Sequence, residues 1–336
     1  MRDRRDNYCY NREQMIEYRN RCNSKEDQDL KDARPLVTIV IPAYNAMPYL
    51  KEAIESVRQQ TYTPIELIVV DDGSTDETGA YLEQHGDGFR WYTQRNQGQS
   101  AAINGGWELA EGEIISYLSA DDALLPHAVE AAVETLQRHP EIVMAYGDYE
   151  LIDEWGRVVK EVRVPEFHYD QLAVGMLCQP GPGVFLRRDA VLQAGGWDTG
   201  LRQMPDYDYW LKLASGGDFR RIPRSCARYR VHDGSQTYAP SDEIRSDEPL
   251  RIMSQFLASN YPRPSIRNRH REAMAQANLL SARLHMRSGR PRLALSRVAA
   301  ALRHHPATMV RFRTIRLLLN GWLGRLVFRL RRGRSR

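Results

Sequence analysis

Two short segments constrain this chain most. Leu36–Ile41 and Ile65–Val70 are near-continuous runs of apolar and β-branched residues. Such runs suit strands buried on both faces, as in a parallel sheet, because a half-exposed strand would alternate with polar residues. Between them, Leu50, Ala53, Ile54 and Val57 recur at i, i+3, i+4 and i+7, the spacing of a helix with one apolar face. The alternation continues. Phe89–Thr93 reads as a third strand, Gly98–Ala110 as a helix, Glu113–Leu118 as a fourth strand and Ile142–Tyr146 as a fifth. Thr75 is expected to cap the helix containing Thr78–Leu82, and Pro126 to open one that runs to about His139. This pattern predicts an open α/β sheet flanked by helices.

In open α/β sheets, ligands bind beyond the carboxyl ends of the strands. The polar residues just after the predicted strands are therefore the informative ones: Tyr44-Asn45, Asp71-Asp72 and Asp121-Asp122. Acids facing one cleft repel each other unless a cation or donor groups compensate. Two readings follow. In one, the aspartates shape turns and cap the next helices, as in Asp72-Gly73-Ser74. Alternatively, Asp121-Asp122 supplies hard oxygen ligands to Mg²⁺ or Mn²⁺, with diphosphate oxygens and water completing the shell. The first strand is not followed by GxGxxG, and GxxxxGK[ST] is absent, which argues against a dinucleotide oxidoreductase or a P-loop NTPase.

Charge is unevenly spread. From Pro262 to Arg336 the chain carries 19 Arg and a single acid, Glu272, whereas the remainder holds 42 acids against 28 bases. The basic end is expected to meet an anionic partner. Cys9, Cys22, Cys178 and Cys226 form no CxxC pair, so they suggest reduced thiols and not a zinc site. Mean hydropathy is −0.57, and no uncharged apolar run reaches the ~18–20 residues of a spanning helix. Met1–Arg34 is dense in charge and lacks the apolar core of a secretory signal.

Three segments together are specific. Val37–Asn45 (VTIVIPAYN), Val69–Asp76 (VVDDGSTD) and Tyr117–Asp122 (YLSADD) closely resemble family 2 glycosyltransferases of the GT-A fold, in order and in spacing. The resemblance covers roughly residues 36–235. It implies a Rossmann-like open mixed sheet flanked by helices, with a helical C-terminal extension. By the same resemblance, Pro42, Ala43 and Tyr44 line the nucleotide base, followed by Asn45. Asp71 bonds the uracil edge, and Asp72 lies beside the nucleoside. Gln99 and Asn104 contact the donor. Ser119-Ala120-Asp121 stands where the family has its DxD motif, with Asp121 as the metal-binding position.

Gly195–Asp198 (GGWD) and Met204–Trp210 (MPDYDYW) resemble the acceptor side, where the family shows Glu-Asp and the Asp is the general base. The resemblance thus assigns the base to Asp206, with Asp208 as runner-up. A helix-capping Asp206 is the alternative. In Tyr229–Ser235 (YRVHDGS), Arg230, His232 and Ser235 match segments that approach the diphosphate or metal. His232 is then a metal ligand or an ordinary hydrogen-bonded histidine. Trp197 reads as core, and Gly181 and Gly183 as turn residues or points of close acceptor approach.

The expected organisation is a polar extension over 1–34, a GT-A domain over 35–238 and a helical, Arg-rich region over 239–336. Within the GT-A domain, 35–147 is the nucleotide-sugar half and 148–238 the acceptor half. Ala273–Met286 and Pro291–Arg303 resemble one tetratricopeptide-like hairpin. Between Met309 and Leu330, apolar residues including Trp322 and Phe328 are interleaved with Arg, as in an amphipathic helix lying on anionic lipid. A helix docked on the protein is the alternative, and nucleic acid is not expected as a partner.

The function implied is inverting transfer from a nucleotide-sugar, UDP-linked by expectation, to a saccharide or lipid-linked acceptor, with Mn²⁺ or Mg²⁺. The expected location is cytoplasmic, with the basic tail at the inner face of the membrane. The competing readings are a non-catalytic nucleotide-sugar or saccharide-binding protein of the same fold, and a sugar nucleotidyltransferase.

Overall fold

The structure, a computed structural model, describes residues 34–232 and 240–309. Contacts divide these residues into two compact units: 34–166, 179–199 and 216–232 in the first, and 167–178, 200–215 and 240–309 in the second.

The first unit is built on a mixed sheet. Its strands are β1 (Val37–Ala43), β2 (Ile65–Asp71), β3 (Arg90–Thr93), β4 (Ile114–Tyr117), β5 (Ala123–Leu124), β6 (Ile142–Ile152), β7 (Val158–Val162), β8 (Val184–Arg187) and β9 (Asp218–Arg230). Their order is β3-β2-β1-β4-β8-β6-β9-β5, with β7 paired to β6. β3, β2, β1 and β4 run parallel, in keeping with the near-continuous apolar runs of β1 and β2. β8 is antiparallel to both β4 and β6.

Every residue of β1 is buried. Ile39, Ile41 and Val69 share a core with Leu50, Ala53, Ile54 and Val57 of α1 (Leu50–Arg58), and with Val129, Ala132 and Leu136 of a second helix on that face. That second helix is α4 (Ala128–Arg138); α2 (Thr78–His85) joins the same core through Leu82, and α3 is Gln99–Leu109. The other face of β1 carries α3 so closely that a Cβ at Gly106 would meet Val40 Cγ1 at 2.4 Å. Glycine is therefore required at that crossing. α5 (Arg188–Ala194) follows β8.

Several local expectations need correction. Thr75 does not cap α2. Its N–H and hydroxyl both donate to Asn45 Oδ1, and Asp76 Oδ1 takes the Thr78 N–H instead. α4 begins at Ala128 with His127 at its N-cap, two residues beyond Pro126. The loop after β4 contains the two-residue strand β5, too short to show a period in sequence.

The second unit is helical among the described residues. It contains a short helix Tyr169–Ala173, then α6 (Pro205–Gly216), α7 (Glu248–Ala258), α8 (His270–Arg287) and α9 (Pro291–His304). α8 and α9 form the expected hairpin, packed through Ala275, Leu279 and Ala301. It turns at Gly289, whose φ of +82° favours glycine. Asp247 ties three helices together, accepting from Ser281 Oγ at 2.6 Å and Arg297 Nε at 3.0 Å and bonding His285 Nε2 at 3.2 Å.

Candidate active site

The carboxyl ends of β1, β2 and β4 carry the loops singled out in sequence. Pro42 and Ala43 still belong to β1 and are buried, with Ala43 opposite Asp71. Tyr44, the next residue, is 51% exposed and offers a free ring face. Asn45 has φ +48° and links the first loop to the second: its N–H donates to Ser74 Oγ at 2.9 Å, and its Oδ1 takes the Thr75 N–H at 2.7 Å.

The two aspartates after β2 have separate tasks. Asp71 Oδ1 accepts from the Ser74 N–H at 3.0 Å, and Oδ2 from the Thr93 hydroxyl at 3.1 Å. Asp72 is buried, and its carboxylate receives Gln94 Nε2 at 2.8 Å, the Gln97 N–H at 2.9 Å and the Gly98 N–H at 2.6 Å. It shapes the loop leading into α3 by compensating a buried charge with donors. The local turn bond expected of Asp72 is made by Asp71, which accepts from the Ser74 N–H, whereas Asp72 serves a loop more than twenty residues on.

Gln99, at the start of α3, is exposed, with its amide 3.4 Å from Ser119 Oγ. Asn104 has a different partner from the one expected of a donor contact. Its Nδ2 donates to the Trp197 carbonyl at 3.0 Å, and its Oδ1 accepts the Trp197 N–H at 2.8 Å. The amide thus holds the Gly195–Asp198 loop as a neighbouring strand would. Trp197 is buried core, edge-on to Tyr117 at 5.2 Å between ring centroids. A Cβ on Gly181 would strike the Tyr149 ring at 2.7 Å, so that glycine serves packing.

The loop Ser119-Ala120-Asp121-Asp122 is drawn to the end of β9 by β5, which pairs Ala123 with Arg228. Two consequences follow. His232 Nε2 comes to 3.1 Å from Asp121 Oδ2, with both side chains partly exposed, and Asp122 turns inward to accept the Arg230 N–H at 2.9 Å. Burial pushes the Asp122 carboxyl well up, and the Asp121 charge adds to this against the pull of Arg230. Asp122 is therefore not a free metal ligand.

Arg230 does not present its charge to a diphosphate. The side chain is 2% exposed, with its guanidinium over the Tyr49 ring and paired with Glu52. It also donates to the carbonyls of Asp121, Asp153 and Glu154. It braces the Asp121 loop, α1 and the β6–β7 turn. Sequence gave no sign of this, because a lone arginine beside a histidine reads equally well as a ligand contact. Ser235 lies outside the described residues.

A divalent cation fits the Asp121–His232 pair. One carboxylate and one imidazole are adjacent and accessible, and among the described residues no group of three or more His, Cys, Asp or Glu could hold an ion alone. The remaining positions suit phosphate oxygens and water.

The second unit holds Asp206 in the first turn of α6. Its Oδ1 accepts the Tyr207 N–H at 2.8 Å. Burial first, and the Glu248 charge with it, push its carboxyl up against that bond. Asp208 is buried and paired with Lys212 at 2.6 Å, so it is committed elsewhere.

The glycosyl transferase family 2 model matches residues 38–193. An uncharacterized glycosyltransferase of Rickettsia typhi is 31% identical over 224 residues, covering 64% of this chain and 70% of the relative. One from Nostoc is 38% identical over 239 residues, covering 66% and 74%. Chondroitin synthase of Escherichia coli is 30% identical over 250 residues, 73% of this chain and 36% of that protein, so the chain spans about a third of that relative's length. Among solved structures, S. aureus TarS 1–349 in complex with UDP-GlcNAc superposes with a TM-score of 0.53 at 16% identity, covering 80% of this chain and 89% of that one. Mannosyltransferase PcManGT from Pyrobaculum calidifontis, in complex with GDP-Man and Mn²⁺, gives 0.56 at 19%, covering 95% and 94%.

The fold is thus that of the GT-A glycosyltransferases, a mixed sheet flanked by helices with a helical C-terminal region. The chain belongs to glycosyl transferase family 2.

Proposed function

We propose that this chain moves a sugar from a nucleotide-sugar to an acceptor hydroxyl with inversion at the anomeric carbon, over a domain spanning 35–238. The observation that carries this reading is the Asp121–His232 pair beyond β4, beside the loops of Asp71 and Tyr44. The ring of Tyr44 stacks on the base, and Asp71 bonds its edge. Gln99 and Ser119 meet the donor. Asp121 and His232 hold Mn²⁺ or Mg²⁺, which when bound offsets the negative charge of the diphosphate.

Asp206 is the base. It takes the proton of the acceptor hydroxyl as that oxygen bonds to the anomeric carbon and the nucleoside diphosphate leaves. A positioned base of this kind contributes roughly 10²–10⁴-fold. UDP is the expected nucleotide, and a saccharide or lipid-linked saccharide the expected acceptor, as in surface polysaccharide synthesis. The names of the similar proteins support this reading, since they include a chondroitin synthase and structures bound to UDP-GlcNAc or GDP-Man.

The Arg-rich end of the chain fits attachment to an anionic membrane surface. Residues 310–336 lie outside the described residues, and among those described no helix is long and apolar enough to cross a membrane. Flotation with anionic vesicles, with and without residues 306–336, tests the attachment. Equal flotation would sink it.

The catalytic reading is tested by incubating the protein with Mn²⁺ and UDP-, GDP- and dTDP-sugars and measuring released nucleotide. Release from one donor, lost in Asp121→Ala, is the expected result. Nucleotide binding without release from any donor, across a panel of saccharide acceptors, would favour a binding protein.

A further inference from the structure

The helical second unit contains a buried carboxylate that the reaction does not use. Glu248, at the first position of α7, is 3% exposed. Its Oε1 accepts the Arg202 N–H at 2.7 Å, and its Oε2 accepts the N–H groups of Gln203 at 2.7 Å and Met204 at 2.9 Å. A buried charge requires such donors, and three successive backbone amides ahead of a helix require an acceptor. The three residues lead straight into Pro205 and Asp206.

Resting on the reading of Asp206 as the base, we propose that Glu248 is its positioning residue, clamping 202–204 so that the first turn of α6 presents the Asp206 carboxylate in one orientation. The clamp is itself anchored. Asp247, the preceding residue, is held by Ser281 and His285 of α8 and Arg297 of α9. A chain of bonds therefore runs from the α8–α9 hairpin to the turn bearing Asp206. The C-terminal helices, beyond the 38–193 span of the family match, thus help hold the turn that bears Asp206.

The Glu248 charge also acts on the carboxyl it positions, adding to burial in raising Asp206. The other groups acting there are Cys178, whose thiol is pushed up by burial and by Asp206, and the Tyr207 N–H. Asp208, on the same helix, is neutralised by Lys212. Arg202 contributes its backbone N–H to the clamp.

The test uses the full chain with Glu248→Gln, which keeps the shape, removes the charge and turns an amide donor toward N–H groups. Hydrogen exchange across 202–206 should quicken on the order of tenfold or more, as local opening becomes easier. The Asp206 carboxyl, followed by ¹³C-aspartate NMR and assigned by its absence in Asp206→Asn, should titrate at lower pH. The melting shift produced by UDP with Mn²⁺ should not change. Unchanged exchange together with an unchanged Asp206 titration would overturn the proposal. Should Glu248→Gln fail to fold, Glu248→Asp retains the charge with a shorter reach, and unchanged exchange in that variant is equally fatal. Turnover of the nucleotide-sugar panel by Asp206→Asn would refute the base reading alone and leave the exchange result standing.

Discussion

His232 Nε2 stands 3.1 Å from Asp121 Oδ2, across 111 residues of sequence. The two-residue strand β5 creates that contact by pairing with β9 just before His232. If the pair holds a divalent cation, Asp121→Ala should lower Mn²⁺-dependent UDP affinity by at least roughly tenfold, and His232→Ala by less. Calorimetry with and without Mn²⁺ measures both. A metal dependence unchanged in Asp121→Ala would exclude it as a ligand.

Arg230 satisfies three backbone carbonyls and Glu52 from a buried position. Removing one partner of a buried charge network is far more damaging than never having built it. Arg230→Met should lose about 3 kcal/mol of stability, read from urea midpoints. A loss below about 1 kcal/mol would show that water replaces the guanidinium freely.

Burial, joined by the Glu248 charge, raises the Asp206 carboxyl. A base works deprotonated, so transfer should fall on the acid side at a higher pH than an ordinary aspartate would give. Stability runs in the opposite direction. The contribution of a raised carboxyl is complete below the ordinary value of 3.8 and is lost as pH rises through the folded value. Asp206→Asn, whose Oδ1 keeps the Tyr207 bond, should therefore melt higher than wild type at neutral pH. The gap should close below about pH 4. A mutant that melts lower at neutral pH would contradict the raised carboxyl.

Asp72 receives three donors from the 94–98 loop. Asp72→Asn turns an amide donor toward backbone N–H groups and removes the charge that strengthens those bonds. The expected loss is about 1–3 kcal/mol, with weaker UDP binding because the α3 entry loosens. Thermal melts with and without UDP would show it, and wild-type values in both would assign the loop's shape to other contacts.

Part of this was legible from residues alone. β1, β2 and β4 could be read because an unbroken apolar run has few alternatives to a strand buried on both faces. Their ends were legible for the same reason, since a polar residue directly after such a strand must sit at its carboxyl edge. Asp71, Asp72 and Asp121 were found in this way. Thr75 and Pro126 misled, because local capping signals compete with tertiary partners, here Asn45 for Thr75.

The division of labour among those residues was not legible. Asp71 and Asp72 are identical in type and adjacent, yet β2 places one at the strand's last position and the other under the 94–98 loop. Asn104 gave no hint that it would clasp Trp197, 93 residues away. Glu248 carried no signal in the sequence, and nothing nearby pointed to 202–204. The sequence by itself determined β1, β2 and β4 and the chemistry available at their ends, because these depend on side-chain period and residue type. Only the tertiary structure decided which carboxylate is open, which is capped and which arginine is buried. Those outcomes depend on partners brought together by long-range pairing, and no local pattern encodes the partner.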